Sequence, residues 1–187
     1  WWRGRGNPLE KLIVLIVAKT RRGAAACVGA ITADGRSLRL EAANKGTDEH
    51  AGMCYAVGDV WELEIRPAET IVPPHVENVV VFGRRRLKQH ADVFAAVERY
   101  MPPRTGSIDC LYDGLTQATS TGALYIAERT GIPPYSTLFW RTDQLLTLDA
   151  DGKRLRYRYP TGDGGRSLVY VGFEDPIDAI PAGTLLR

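Results

Sequence analysis

Apolar residues recur in short blocks along the chain, and the form of each block indicates β-strands. Residues 12–18 are an unbroken apolar run, which is typical of a strand buried on both faces. Residues 60–65 alternate, with Trp61, Leu63 and Ile65 on one face, as in a strand buried on one side. Similar blocks predict further strands at residues 24–32, 37–41 and 79–82.

Five such strands and one long polar loop, residues 44–58, fit a small and partly open Greek-key barrel. The OB-fold is the commonest solution for this strand count, and an SH3-like barrel is the nearest alternative. Pro73-Pro74 predicts a turn before the fifth strand, because proline fixes φ and has no amide donor. The fifth strand is wholly apolar, so we expect both its faces to be covered and Gly83 to end it. The first barrel is predicted at residues 10–88.

One amphipathic helix separates the two halves of the chain. Apolar side chains recur at helical spacing in residues 89–101, and Pro102-Pro103 stops the pattern, so residues 89–103 are predicted to be a connecting helix. Residues 104–137 carry little pattern beyond a strand or short helix at 123–128. Later blocks predict strands at residues 138–140, 154–159, 167–173 and 183–187. The sequence therefore predicts an all-β fold with one short helix, as two tandem OB-like small barrels, the second at residues 104–187.

Composition places the chain among ordinary globular proteins, with 44% apolar and 25% charged residues. The net charge is only +2, but residues 1–88 carry 14 Lys and Arg against 10 Asp and Glu, whereas residues 89–187 carry 10 against 12. An anionic partner should therefore prefer the first half or the junction. Three widely spaced cysteines form no disulfide framework, and the longest apolar run is too short to span a bilayer. We expect a cytoplasmic protein without a membrane partner.

Three stretches resemble the dual OB-fold domain family of prokaryotic conflict and defence systems. They are KLIVLIVAKT at residues 11–20, PPHVENV at residues 73–79 and YRYPTGDGGRSLVYVGFEDPIDAIPAGTLLR at residues 157–187. The resemblance implies two OB-like barrels in tandem. It also implies a nucleic-acid-binding or sensing unit that works beside an NTPase or effector and has no catalytic residues.

Basic residues form three groups that are candidates for phosphate contacts. An alternating strand would place three arginines on one face, ~6.8 Å apart, close to the phosphate repeat of an extended single strand. A second group has four cations within five residues, and a third lies in the predicted turn after the first strand. Each group has a plainer alternative: a solvent-facing strand, a solvated junction or a basic turn. The groups are Arg154, Arg156 and Arg158; Arg84, Arg85, Arg86 and Lys88; and Lys19, Arg21 and Arg22.

Aromatic side chains matter because every unpaired base offers a face for stacking. Trp140, next to Arg141, is the candidate for base stacking. Tyr55 and Tyr112 lie in predicted loops and are candidates for exposed rings. Alternation directs Trp61, Tyr157 and Tyr159 into the core instead.

Metal and catalytic chemistry find little support in the sequence. His50 and Cys54 have the spacing of one helical turn, but a structural zinc site needs more ligands than this pair supplies. Asp109 and Asp113 are a scattered carboxylate pair, and no nucleophile, metalloprotease or phosphate-loop motif is present. We therefore expect no metal, no cofactor and no enzymatic activity.

The leading hypothesis is binding of single-stranded or distorted nucleic acid, DNA or RNA, in a defence context. The alternative is a protein-interaction or regulatory module for an NTPase or effector partner, because a fold does not fix its function. An exposed apolar patch and weak salt dependence would favour the alternative.

Overall fold

A computed structural model of the chain describes residues 8–22, 25–43, 52–149 and 154–187. The chain divides into two compact units after Met101. The fold is mostly β, as predicted, and the α-helix of the described residues lies at the end of the first unit.

The first unit contains β1 (Glu10–Arg22), β2 (Ala25–Thr32), β3 (Ser37–Ala42), β4 (Asp59–Pro67), β5 (Asn78–Gln89) and α1 (Val93–Tyr100). Its five strands close into a barrel in the order β1-β2-β3-β5-β4, and β1 pairs back with β4. The β3–β5 pair is parallel and the other pairs are antiparallel. This closed Greek-key arrangement confirms the predicted OB-like barrel.

Alternate residues of each strand fill the barrel. Leu63 and Ile65 are fully buried, and Trp61 is 8% exposed, so the inward face predicted for β4 is confirmed. Leu15 and Ile31 point to the other face and yet are buried there, while α1 contacts β2 and buries Ala96 and Val97. The Asp92 side chain caps α1 by accepting a 2.9 Å hydrogen bond from the Ala95 amide.

Two strands are longer than predicted. β1 runs on through Arg22, and its last residues pair with β2 at Arg21–Ala26 and Arg22–Ala25, so the predicted basic turn is wrong. Strand pairing outweighs the local polarity of this stretch, because a long side chain on a strand can point away from the core. β5 runs on to Gln89, and the helix accordingly begins at Val93 rather than at residue 89.

A β-bulge explains why Gly83 does not end β5. Glu64 pairs with Gly83 and Ile65 pairs with Val81, so Phe82 is the extra residue of the bulge. A Cβ on Gly83 would lie 2.7 Å from Glu64 Oε2, which shows how closely that carboxylate packs on the glycine. The ring of Phe82 is 50% exposed, so the prediction that both faces of this strand are covered is wrong at Phe82.

The second unit has shorter strands in three separate sheets among its described residues. The sheet orders are β12-β11-β10-β13, β14-β9-β6 and β7-β8. Its own core contains Ile108, Leu146 and Trp140. Short 3₁₀ segments lie at Ile108–Gly114 and Glu128–Thr130. The strands are β6 (Arg104–Gly106), β7 (Gln117–Ala118), β8 (Leu124–Tyr125), β9 (Trp140–Thr142), β10 (Leu146–Asp149), β11 (Arg156–Tyr159), β12 (Arg166–Val169), β13 (Ala179–Ile180) and β14 (Leu185–Leu186).

Within the described parts of the chain, no helix has the length and apolar character needed to cross a membrane.

Candidate nucleic-acid interface

Residues 84–88 of β5, here called the basic ribbon, pair with residues 60–63 of β4 in the barrel wall, where the same β4 residues also pair with β1. Every residue of the ribbon is exposed. The cations therefore lie on an ordered strand and not in a junction loop. Pairing divides them between two faces, because Arg85 lies opposite Glu62 while Arg84 lies opposite the core residue Leu63.

The outer face of the ribbon holds a shared ion pair. Arg85 donates from Nε and Nη2 to Glu62 Oε1 at 3.2 and 3.1 Å, and Lys11 Nζ lies 3.1 Å from the same oxygen. Hydrogen bonds from Lys11 and then Arg85 lower the pKa of Glu62. The Arg85 side chain is 69% exposed, so solvent screens this pair. If Arg85 turned to an outside anion, Glu62 would keep Lys11 as its partner.

The inner face holds a different kind of pair. Arg86 Nη2 lies 2.7 Å from Asp59 Oδ1, and Asp59 is only 3% exposed. The amide of Ala56 donates to the other carboxylate oxygen at 3.3 Å. The hydrogen bond from Arg86 is the main cause that lowers the pKa of Asp59. The indole of Trp61 lowers this pKa further, although Trp61 Nε1 makes no hydrogen bond of normal geometry among the described residues. Arg86 is thus needed to balance a buried charge.

Residues 52–55 bring cations from two strands to one end of the barrel. Lys19 Nζ donates to the carbonyl of Met53 at 3.2 Å, and the Arg84 guanidinium lies 5.8 Å from the ring centroid of Tyr55. Tyr55 itself is 4% exposed and packs edge-on against Trp61 at 4.9 Å. The prediction of an exposed Tyr55 ring is therefore wrong, because the ring fills the end of the barrel.

The other two cations of the predicted turn, Arg21 and Arg22, lie at the end of β1. Arg21 is exposed on β1, near the β1–β2 connection, and Arg22 is the last residue of that strand. Lys88 is exposed at the end of the basic ribbon, opposite Val60, and has no ion pair among the residues that the structure describes.

The second unit buries its predicted stacking residue. Trp140 is 3% exposed, and its indole N–H donates to the carbonyl of Gly106 at 2.9 Å. It also packs beside Tyr159, with ring centroids 6.0 Å apart. The prediction of Trp140 as an exposed base-stacking residue is wrong, because the aromatic strand lies in the core. Its neighbour Arg141 donates to the carbonyl of Gly183 at 2.7 Å.

The predicted stripe of three arginines is shorter in the structure. β11 begins at Arg156, and Arg154 is exposed before it. Arg156 and Arg158 share a face, opposite the buried Tyr157 and Tyr159, as predicted. Arg158 Nε donates to Asp149 Oδ2 at 3.1 Å, and Arg156 Nη1 lies 3.5 Å from Ser167 Oγ. One of the two strand arginines is thus already paired with a carboxylate.

The carboxylates Asp109 and Asp113 have separate partners. Asp113 accepts hydrogen bonds from Arg104 and, at 2.8 Å, from the hydroxyl of Tyr135. Asp109 instead accepts a 3.4 Å hydrogen bond from Ser107. Tyr112, a candidate for an exposed ring in the sequence, is half-buried and stacks on Tyr135, with centroids 5.8 Å apart. The contacts of Tyr135 with Asp113 and Tyr112 connect residues that are more than 20 positions apart in the chain, so the spacing of Asp109 and Asp113 did not predict them.

Of the two residues with helical-turn spacing, Cys54 is exposed and His50 lies outside the described residues. In the described portion of the chain, no three potential metal ligands cluster together.

The outer face of β2 and β3, where OB-folds often bind ligands, has no aromatic side chain among its described residues. Its cation Arg39 lies 3.6 Å from Cys27 Sγ, and Glu41 accepts a 3.0 Å hydrogen bond from Asn78. The exposed cations of the first unit lie mainly at its β5 side.

Comparison with known proteins matches the chain to a family model. The family model described as "Dual OB-containing domain" matches residues 12–185. No match to a curated protein was found. A solved structure described as "Structural mimicry for functional antagonism" is 8% identical to this chain, with 97% of this chain and 83% of that chain covered and a TM-score of 0.39. A likeness this low carries no argument.

Proposed function

We propose that this chain, which belongs to the family of dual OB-containing domains, is a nucleic-acid-binding or sensing module without catalytic residues. Barrels of the OB type commonly bind oligonucleotides, which makes nucleic acid the first ligand to consider. The observation that carries the proposal is the basic ribbon, an ordered exposed strand with four cations. Its ligand in this proposal is the phosphate backbone of single-stranded or distorted DNA or RNA.

The contacts of the ribbon indicate which cations would meet phosphate. Lys88 has no competing carboxylate among the described residues, and Arg85 can leave Glu62 to Lys11. Arg86 has the opposite role, because moving it would leave the buried Asp59 without its cation. We therefore assign phosphate binding first to Arg85 and Lys88.

Fluorescence anisotropy of labelled single- and double-stranded DNA and RNA, at two salt concentrations, tests this assignment. The double variant R85A/K88A should weaken binding to all sequences about equally and flatten the salt dependence, since phosphate contacts release counterions. R99A is the control for loss of one exposed positive charge, which it removes from the surface of α1 in the same unit. If R85A/K88A binds with wild-type affinity, the interface lies elsewhere on the protein. If the wild-type protein binds none of the four probes, the proposal of nucleic-acid binding is wrong.

The setting included in the proposal is prokaryotic defence, and its support is the family resemblance alone. Phage plaque counts on bacteria that express the chain with its natural neighbouring genes would test it. Equal counts with wild-type protein and with R85A/K88A would separate nucleic-acid binding from any defence role.

A protein-interaction module, serving an NTPase or effector, is the second candidate function. It is favoured by the β4–β5 loop, where Ile71, Val72 and Val76 are 45%, 58% and 38% exposed. Apolar side chains grouped on a surface loop are typical of protein contacts. The two functions differ in salt dependence, because an apolar contact would survive salt that releases a phosphate backbone.

A further inference from the structure

Phe82 is the one residue of the β5 bulge that turns an aromatic ring outward beside the basic ribbon. The bulge places Phe82 and Gly83 in succession on the outer side, since Val81 packs on the core and Gly83 faces Glu64. Bulges commonly re-aim a side chain in this way. The ring is 50% exposed, although its sequence context predicts burial.

Arg66 of β4 covers part of this ring. Its guanidinium carbon lies 5.1 Å from the centroid of Phe82. Its Nε atom is buried and has no hydrogen-bond partner among the described residues. A buried donor without a partner is costly in a native protein and calls for an explanation.

Asn78 supplies a second polar atom of this kind on the same strand face. It lies four residues before Phe82 on β5, and Val80 between them pairs with Arg66. Its side-chain amide donates to Glu41 at 3.0 Å, which fixes the orientation of the amide and leaves Oδ1 as the acceptor. Oδ1 is buried and unpartnered within the described part of the chain. Two of the three such atoms found there thus belong to the strand face that carries Phe82, and Arg66 is the one that contacts its ring.

From this geometry we infer that Phe82 and Arg66 form a subsite for one unpaired nucleobase. The inference rests on the proposed function and makes it more specific. The ring of Phe82 supplies a stacking face, Arg66 supplies a donor next to it, and Asn78 lies further along the same strand face. Arg85 lies three residues further along β5 on the same outer face, within about 10 Å by chain length, so it can hold a phosphate of the same strand.

The subsite selects single strands, because a paired base keeps its faces inside the stack. The subsite also differs from a cation–π pair that only stabilises the surface, because the affinity of such a protein for a strand would not depend on the bases of that strand. The base contact should be sequence-tolerant, since every base offers a π-face.

The test compares Phe82→Leu and Phe82→Trp with Phe94→Leu, all in the full chain. Phe94 is the matched control, because it is an exposed phenylalanine on α1 of the same unit, with 64% of its surface exposed. Circular dichroism and thermal unfolding first establish that each variant is folded. Binding is then measured by anisotropy with a single-stranded oligonucleotide, the same strand with abasic sites throughout, and the corresponding duplex.

Phe82→Leu should weaken single-strand binding about 5- to 150-fold, the range expected from loss of one stacked base. Phe82→Trp should keep the single-strand affinity of the wild-type protein, and Phe94→Leu should change this affinity less than about twofold. The abasic strand should bind to the wild-type protein and to Phe82→Leu with equal affinity. Equal single-strand binding by wild type and Phe82→Leu, with R85A/K88A still impaired, would overturn the base subsite and leave the proposed function standing. No binding by the wild-type protein would overturn both.

Discussion

Replacing Tyr55 tests whether its ring is part of the barrel or part of the ligand surface. The ring is 4% exposed, packs edge-on against Trp61 at 4.9 Å and lies under the guanidinium of Arg84. Tyr55→Ala removes the ring and leaves a cavity at the end of the first barrel. Truncation of a buried aromatic side chain costs about 3–5 kcal/mol, a large share of the stability of a small domain.

Tyr55→Leu is the graded comparison, because it keeps much of the apolar volume while it removes the hydroxyl and the aromatic contacts. An edge-to-face aromatic pair contributes about 0.5–1.5 kcal/mol beyond its buried area. Tyr55→Leu should therefore destabilise the first unit several-fold less than Tyr55→Ala.

Hydrogen exchange read by mass spectrometry is the assay, because it reports β1 and β4 separately from the strands of the second unit without cutting the chain. Amides of β1 and β4 that open by unfolding of the first unit should exchange about 150- to 5,000-fold faster in Tyr55→Ala and about 2- to 12-fold faster in Tyr55→Leu. Amides of β11 should serve as the internal control. The reasoning is refuted if Tyr55→Ala leaves β1 and β4 protected as in wild type. It is also refuted if Tyr55→Leu abolishes nucleic-acid binding without changing exchange, because the ring would then be a ligand contact.

Three further predictions concern the second unit. Gly122→Ala should lower the stability of the second unit by about 1–3 kcal/mol in denaturant unfolding, because a Cβ at this position would lie 2.5 Å from the carbonyl oxygen of Gly165. Gly183→Ala is the control for backbone strain, because Gly183 has a φ of 83°, close to the 81° of Gly122, and a Cβ there would meet no atom within 4 Å. Hydrogen bonds from Arg166 and then Thr161 lower the pKa of Asp163 to about 2 from an ordinary value of about 3.9. The ion pair of Asp163 with Arg166 therefore stabilises the fold at pH values above the ordinary pKa of Asp, and this stabilisation is lost as pH falls through the lower pKa of the folded protein. Asp163→Asn should flatten the change of melting temperature between about pH 4 and pH 2. A pH profile of the melting temperature equal to that of the wild-type protein would contradict the assignment. Trp140→Phe should lower the melting temperature through loss of the bond to Gly106 but leave nucleic-acid affinity unchanged, and a selective loss of affinity would restore Trp140 as a stacking residue.

Alternation was the reliable signal in the sequence, because a half-buried strand sorts side chains by face. It placed Trp61, Leu63 and Ile65 inside the first barrel and Tyr157 and Tyr159 inside the second unit, and all five are buried. The first barrel was predictable since its strands are long enough to show the pattern. Residues 104–137 were not, because their strands are two or three residues long and their packing depends on non-local contacts such as Tyr112 on Tyr135.

Charge was the misleading signal for strand ends. Residues 19–22 and 84–88 read as polar connections, yet both lie in strands, where arginine side chains reach solvent or a carboxylate while the backbone pairs. Composition also failed at the bulge. Nothing in the run from Val79 to Phe82 distinguishes Phe82 as exposed, because the cause is the register of β4 against β5 and the packing of Glu64 on Gly83.

The number of cations on a strand is not the number of phosphates it can hold. Of the four cations on the basic ribbon, Arg86 balances a buried carboxylate and Arg84 lies over the Tyr55 ring, so Arg85 and Lys88 remain the first phosphate ligands. Each contact with a single strand contributes about 0.7 to the slope of log K against log salt. Binding through the ribbon should therefore show a slope near −1.4, and R85A/K88A should bring it close to zero. A wild-type slope steeper than about −3, still steep in R85A/K88A, would mean that phosphates lie instead along Lys19 and Arg21 or on the second unit.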